Sequence, residues 1–114
     1  MGGFKNVVRF IVLLGMVGIF AGEAAAQAVS LPKRHVIFLE GFAFSPKHLT
    51  VSSGDTIVWI NQDLVPHVVR IGENQWQSPV LEEGQAWEML VEQAGSFSYF
   101  CMFHPQMTGA FVTQ

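Results

Sequence analysis

From residue 29 to the end, no stretch of the chain carries the three-to-four-residue apolar repeat of an amphipathic helix. It breaks instead into short apolar or alternating runs, each closed by a turn signal. Residues 36–39 (VIFL) are one such run. His48-Leu49-Thr50-Val51 is followed by the turn residues Ser52-Ser53-Gly54-Asp55 and then by Thr56-Ile57-Val58-Trp59-Ile60. Asn61-Gln62-Asp63 ends that run, and Pro66-His67 opens another that continues to Ile71. Trp87, Met89 and Val91 alternate with Glu88, Leu90 and Glu92, the pattern of a half-buried strand. After Gln93-Ala94-Gly95, Phe97, Tyr99 and Cys101 alternate with Ser98 and Phe100, and residues 108–113 close the chain. Many short β-rich segments punctuated by Gly, Pro, Asn and Asp predict an all-β, antiparallel sandwich or barrel. Residues 72–84 read as a loop or crossing segment.

The start of the 114-residue chain follows different rules. Lys5 and Arg9 precede an apolar run of 12 residues, 10–21, and small residues follow as Gly22-Glu23-Ala24-Ala25-Ala26-Gln27-Ala28. This is the layout of a secretory signal peptide, with cleavage after Ala26 or Ala28. The run falls short of the ~20 residues that a membrane-spanning helix needs. The expectation is a signal peptide over 1–28 and an exported, periplasmic domain over 29–114, with no stable membrane insertion once the signal is removed. The remaining charge is mildly acidic, and no basic stripe points to nucleic acid.

Cys101 is the single cysteine, so no internal disulfide is available to a small exported domain. A free thiol in an oxidising compartment is a liability unless something occupies it, and a metal would. Three residues on stands His104, and three further Met107, in the run Cys101-Met102-Phe103-His104-Pro105-Gln106-Met107. Thiolate, imidazole and thioether are donors that select copper over magnesium or calcium, and two His with one Cys and a long axial Met make a blue-copper site. His67, just after Pro66, is the candidate second imidazole. The alternation of Phe97, Tyr99 and Cys101 turns the thiol toward the interior. His104, between Phe103 and Pro105, is expected to present a ring edge to the surface as an electron port. His35 and His48 fall outside this spacing and are expected to be exposed. Met89 and Met102 read as packing residues, with Met102 pointing away from Cys101, and Asp63 and Glu73 read as solvated turn residues.

These residues resemble the cupredoxins, the small blue-copper proteins of the plastocyanin and amicyanin type. The likeness runs through Phe44-Ser45-Pro46, Leu49-Thr50-Val51, the segment from Gly54 to Asp63 and Pro66-His67. It continues in the segment from Gly95 to Cys101, His104-Pro105 and Met107-Thr108-Gly109. The two-residue gap between His104 and Met107 is similar to the amicyanin type. The resemblance implies an eight-stranded Greek-key sandwich and one copper ion, Cu(II)/Cu(I), on His67, Cys101, His104 and Met107. It also implies an apolar docking patch of Leu64, Phe103 and Pro105 around His104, a His that in amicyanin-like proteins leaves reduced copper on protonation. One residue departs from the pattern. Val68 follows the first ligand where the family often has an Asn that donates toward the thiolate, and such contacts tune a metal.

The function expected is a periplasmic one-electron carrier, monomeric, exchanging electrons with redox proteins such as a dehydrogenase, a cytochrome or an oxidase. It is not expected to be an enzyme, because four protein ligands leave no open metal position. A copper chaperone or resistance protein is the alternative with the same ligands, and a structural sandwich with a vestigial motif is a third. No paired carboxylates, nucleophile triad or phosphate loop competes with these readings.

Overall fold

A computed structural model describes residues 30–73 and 75–114. The expected signal peptide lies outside the described residues. Among them, nine strands form two sheets: β1 Arg34–Glu40, β2 Ala43–Ser45, β3 His48–Val51, β4 Thr56–Asn61, β5 Val69–Ile71, β6 Trp76–Gln77, β7 Ala86–Leu90, β8 Gly95–Cys101 and β9 Thr108–Thr113. One sheet has the order β2-β1-β4-β7 and the other β3-β9-β8-β5-β6. The described residues contain no helix long and apolar enough to cross a membrane.

The residue pattern accounts for these strands. In β8, Phe97, Tyr99 and Cys101 are buried between exposed or half-buried neighbours, as a period of two requires when one face meets a core. In β4, Ile57, Val58 and Trp59 are all buried, and this β-branched and aromatic run is the central strand between β1 and β7. The core joins both inner faces through Ile37, Leu39, Trp59, Ile71, Tyr99 and Phe111. Trp59 stacks on Trp87 with ring centroids 5.1 Å apart, and Phe44 meets Tyr99 edge-on at 4.7 Å.

The sandwich is the expected one, but two of its ladders run parallel. β1 pairs with β4 in the register Arg34↔Thr56 to Leu39↔Asn61, and β3 pairs with β9 from His48↔Ala110 to Val51↔Thr113. The reason is the path between sheets. β2 is antiparallel to β1, and after Pro46 the chain continues as β3 in the opposite sheet. The Ser52–Asp55 turn then returns it to the first sheet as β4, which therefore lies beside β1 in the same direction. Segments β2 and β3 act as one strand bent at a proline, which has no N–H to continue a ladder. Counted so, the nine segments reduce to the eight strands of the Greek-key expectation.

This path gathers one set of strand ends. The C-terminal ends of β1, β4 and β8 and the starts of β5, β7 and β9 lie at the same end of the sandwich, as their pairings require. The β1–β2 turn, the segment 62–68 and the loop 102–107 cap that end.

Candidate metal centre

His67 lies just before β5, held by a two-way backbone bridge to Leu81: its N–H donates to the Leu81 carbonyl at 3.0 Å and its carbonyl accepts from Leu81 at 2.8 Å. Asn61, fully buried at the end of β4, fixes the segment between. Its Nδ2 donates to the carbonyls of Val65 and Leu81, and its Oδ1 accepts from the Asp63 N–H. Cys101 ends β8, with no exposed surface. Its N–H donates to the Met107 carbonyl at 3.0 Å, while the N–H of His104 donates back to the Cys101 carbonyl and that of Met107 to the His104 carbonyl. The loop is thus wound on its own backbone hydrogen bonds. The Met102 N–H donates to the Val68 carbonyl, which ties this loop to the His67 segment.

These backbone supports bring three of the four expected donors together. The Nδ1 of His67 lies 3.4 Å from Cys101 Sγ, and the Nδ1 of His104 lies 3.7 Å from it. The three donor atoms fall within 4.8 Å of one another. His67 and Cys101 are buried and His104 is half-buried. Met107, on the same loop, is buried in the core cluster that also contains Cys101. The donor chemistry fits a soft or borderline ion: two imidazole nitrogens converge on one buried sulfur, with a thioether at the end of the same loop. In the two segments that carry the donors, Leu64 and Phe103 are strongly exposed, and Pro105 is also exposed. Met102 is partly exposed, in keeping with a side chain turned away from Cys101.

Two of the residues read as exposed or solvated in the sequence are neither. Asp63 is only 12% exposed, and its Oδ2 lies 2.7 Å from His67 Nε2. The same carboxylate accepts the N–H groups of Gly41 at 2.7 Å and Phe42 at 3.1 Å. Burial pushes this carboxyl up, but the hydrogen bonds from His67, Phe42 and Gly41 outweigh it and hold the pKa below the ordinary value. A carboxylate on the outer nitrogen sets the tautomer and leaves Nδ1 free to face the sulfur. The four-residue interval to His67 gave no signal, because that spacing has meaning on a helix and this segment is a loop. His35 is the other. It is half-buried, with Nε2 2.8 Å from Asp55 Oδ2, at the far end of the sandwich from the donors. His48 is exposed.

Val68 is buried, and its side chain has no group to donate to the sulfur. Its carbonyl nonetheless joins the two donor-bearing segments. Phe42, in the β1–β2 turn, was not expected at the site. Its ring meets His104 edge-on with centroids 4.9 Å apart and His67 at 5.9 Å.

A two-sheet sandwich that closes buried thiol, imidazole and thioether groups under one loop defines a class of mononuclear redox-metal proteins. Residues 10–113 match the model of the cupredoxin-like domain, and the chain belongs to that family. It is 31% identical to amicyanin of Paracoccus denitrificans over 99 residues, covering 82% of this chain and 71% of the relative. It is 26% identical to plastocyanin of Scenedesmus fuscus over 72 residues, covering 54% of this chain and 74% of that relative. Among solved structures, a Cu(I) form of an amicyanin variant superposes with a TM-score of 0.67 at 29% identity, over 71% of this chain and 82% of that one. A purple cupredoxin from Nitrosopumilus maritimus gives a TM-score of 0.67 at 26% identity, over 70% of this chain and 99% of that one.

Proposed function

We propose that this protein is a periplasmic one-electron carrier holding a single copper ion on His67, Cys101, His104 and Met107. The observation that carries the reading is the convergence of both imidazole Nδ1 atoms on the buried Cys101 sulfur. When bound, copper supplies a one-electron couple, Cu(II)/Cu(I). The chain's own residues supply the rest. Backbone hydrogen bonds at His67, Cys101 and Met107 place the donors before any ion arrives, which favours a small rearrangement between redox states. Burial of His67 and Cys101 keeps water and oxidants from the thiol. Four protein donors leave no open position for a substrate, so the site is suited to passing electrons and not to catalysis.

His104 is the only half-buried donor of the clustered three, and the exposed Leu64, Phe103 and Pro105 stand around that end of the molecule. Exposed apolar side chains beside a half-buried imidazole suit brief docking of a redox partner such as a dehydrogenase, cytochrome or oxidase. Export is supported by the basic, apolar and small-residue succession at the start of the chain. The protein acts there as a monomer.

The test is to add Cu(II) to the purified protein and record its visible spectrum and metal content. One equivalent with an intense sulfur-to-copper charge-transfer band is expected, and Cys101→Ser should abolish the band. A colourless wild-type complex would sink the proposal. Fast electron self-exchange with slow loss of Cu(I) to a chelator is the expected behaviour of a carrier; the reverse pair of results would make it a copper-delivery protein.

A further inference from the structure

The turn between β1 and β2 carries a strain that packing does not explain. Gly41 and Phe42 have φ of +61° and +56°. Two successive left-handed residues are what a two-residue hairpin turn of this hand requires, and Asn-Gly or Gly-Gly commonly fill it. Gly41 adopts the conformation freely, but Phe42 carries a Cβ there, in a region bulky residues rarely occupy. The ring is 53% exposed, so it is not kept for the core.

Its contacts lie on the metal centre. The Phe42 ring stands edge-on to His104 at 4.9 Å and 80°, and to His67 at 5.9 Å and 88°, while the two imidazoles lie 5.1 Å apart. The three rings form a triangle, two corners of which are the imidazoles of the donor cluster. The turn is also pinned to this place, because the Asp63 carboxylate that orients His67 accepts the N–H groups of both Gly41 and Phe42. His104 needs such a support. His67 is fully buried and tied at its outer nitrogen, whereas His104 is half-buried on a short loop. Exposed side chains change rotamer on fast timescales, and His104 is the most exposed of the three clustered donors.

We infer that Phe42 is a positioning residue of the metal centre: a strained hairpin residue whose ring holds the His104 imidazole over the Cys101 sulfur. This deepens the copper reading and rests on it for the identity of the ion, but the clamp itself is a property of the protein without metal.

The experiment compares wild type with Phe42→Gly and Phe42→Leu. Glycine removes ring and strain together; leucine removes the aromatic edge and keeps the strain. Thermal melts of the metal-free proteins should place Phe42→Gly at or above wild type and Phe42→Leu at or below it. NMR relaxation of the His104 ring in the same metal-free samples should show greater mobility in both variants. After copper loading, release of Cu(I) to a chelator should be about three- to tenfold faster in both, the range that corresponds to one aromatic contact. Unchanged His104 mobility in both variants would overturn the inference. So would a loss of melting temperature in Phe42→Gly, which would make Phe42 an ordinary packing residue. If wild type failed to bind copper as a blue centre, the carrier proposal would fall while the metal-free relaxation data still decided the clamp.

Discussion

Asp63 does three jobs with one carboxylate. It accepts from the Gly41 and Phe42 N–H groups and pairs with the outer nitrogen of His67. Removing it leaves a fully buried imidazole without its partner and two turn N–H groups with only water. Asp63→Ala should cost the metal-free protein about 1–3 kcal/mol in a denaturant titration, the penalty for orphaned polar groups. It should also broaden or shift the copper spectrum, because the tautomer of His67 is no longer set. A second single-residue dependence lies in the core. Tyr99 pairs with Gly109 across β8 and β9, and its ring lies over that glycine so closely that a Cβ there would overlap the ring. Gly109→Ala should therefore destabilise by about 1–3 kcal/mol through overpacking. The same variant should change the near-ultraviolet circular dichroism, because Tyr99 is wedged against Phe44 and Trp59.

At the scale of elements, the end of the sandwich away from the metal centre is held by a second carboxylate. Asp55, in the turn between β3 and β4, accepts the Lys33 N–H at 2.8 Å, pairs with His35 Nε2 at 2.8 Å and accepts the Ser52 N–H at 2.9 Å. It thereby joins the approach to β1 to the turn that feeds β4, the two strands of the parallel ladder. The Lys33 hydrogen bond above all, then those of His35 and Ser52, bring its pKa down from 3.8 to about 2. The folded state favours the ionised form, so the stabilisation is complete above the unfolded pKa near 4 and is lost as pH falls from there toward 2. Asp55→Asn should melt below wild type at pH 7, and the gap should narrow over that acid range. A gap that stayed constant from pH 5 to pH 2 would contradict the assignment. The copper spectrum should not change, because this clasp lies at the opposite end of the strands.

At the scale of the whole molecule, the frame and the site share residues, since Cys101 and Met107 belong to the core cluster. Residues Leu31–Gln114 form one compact unit whose core strands also carry the donor-bearing loops. An ion that binds only the folded form should then raise stability by mass action, by about 2.7 kcal/mol at a free concentration a hundredfold above its Kd. Copper should raise the melting temperature of the wild type and leave that of Cys101→Ala nearly unmoved. An equal rise in both would place the ion elsewhere.

Much of this is legible in the sequence alone. The period of two in Phe97, Tyr99 and Cys101 placed the thiol inside, and the three-residue steps to His104 and Met107 placed further donors on one loop. Both follow from local geometry, which neighbours in sequence determine. Most strands were legible for the same reason, but the short β2, and β6 within the stretch 72–84 read as a loop, were not, because two or three residues carry too little alternation to show a period. The direction of the β1–β4 and β3–β9 ladders was not, because alternation looks the same in either direction and only the crossing at Pro46 and the return at Ser52–Asp55 decide it. Asp63 and Phe42 were likewise silent. Each is an ordinary turn residue in its own segment, and its role depends on a distant one: Asp63 meets the turn at Gly41 and Phe42, and Phe42 meets the loop that carries His104. The sequence by itself determined the β-rich class and singled out the four candidate donors, His67, Cys101, His104 and Met107. Tertiary structure alone decided what holds His67 and His104 in place, because those supports are long-range contacts, made only when the two sheets close.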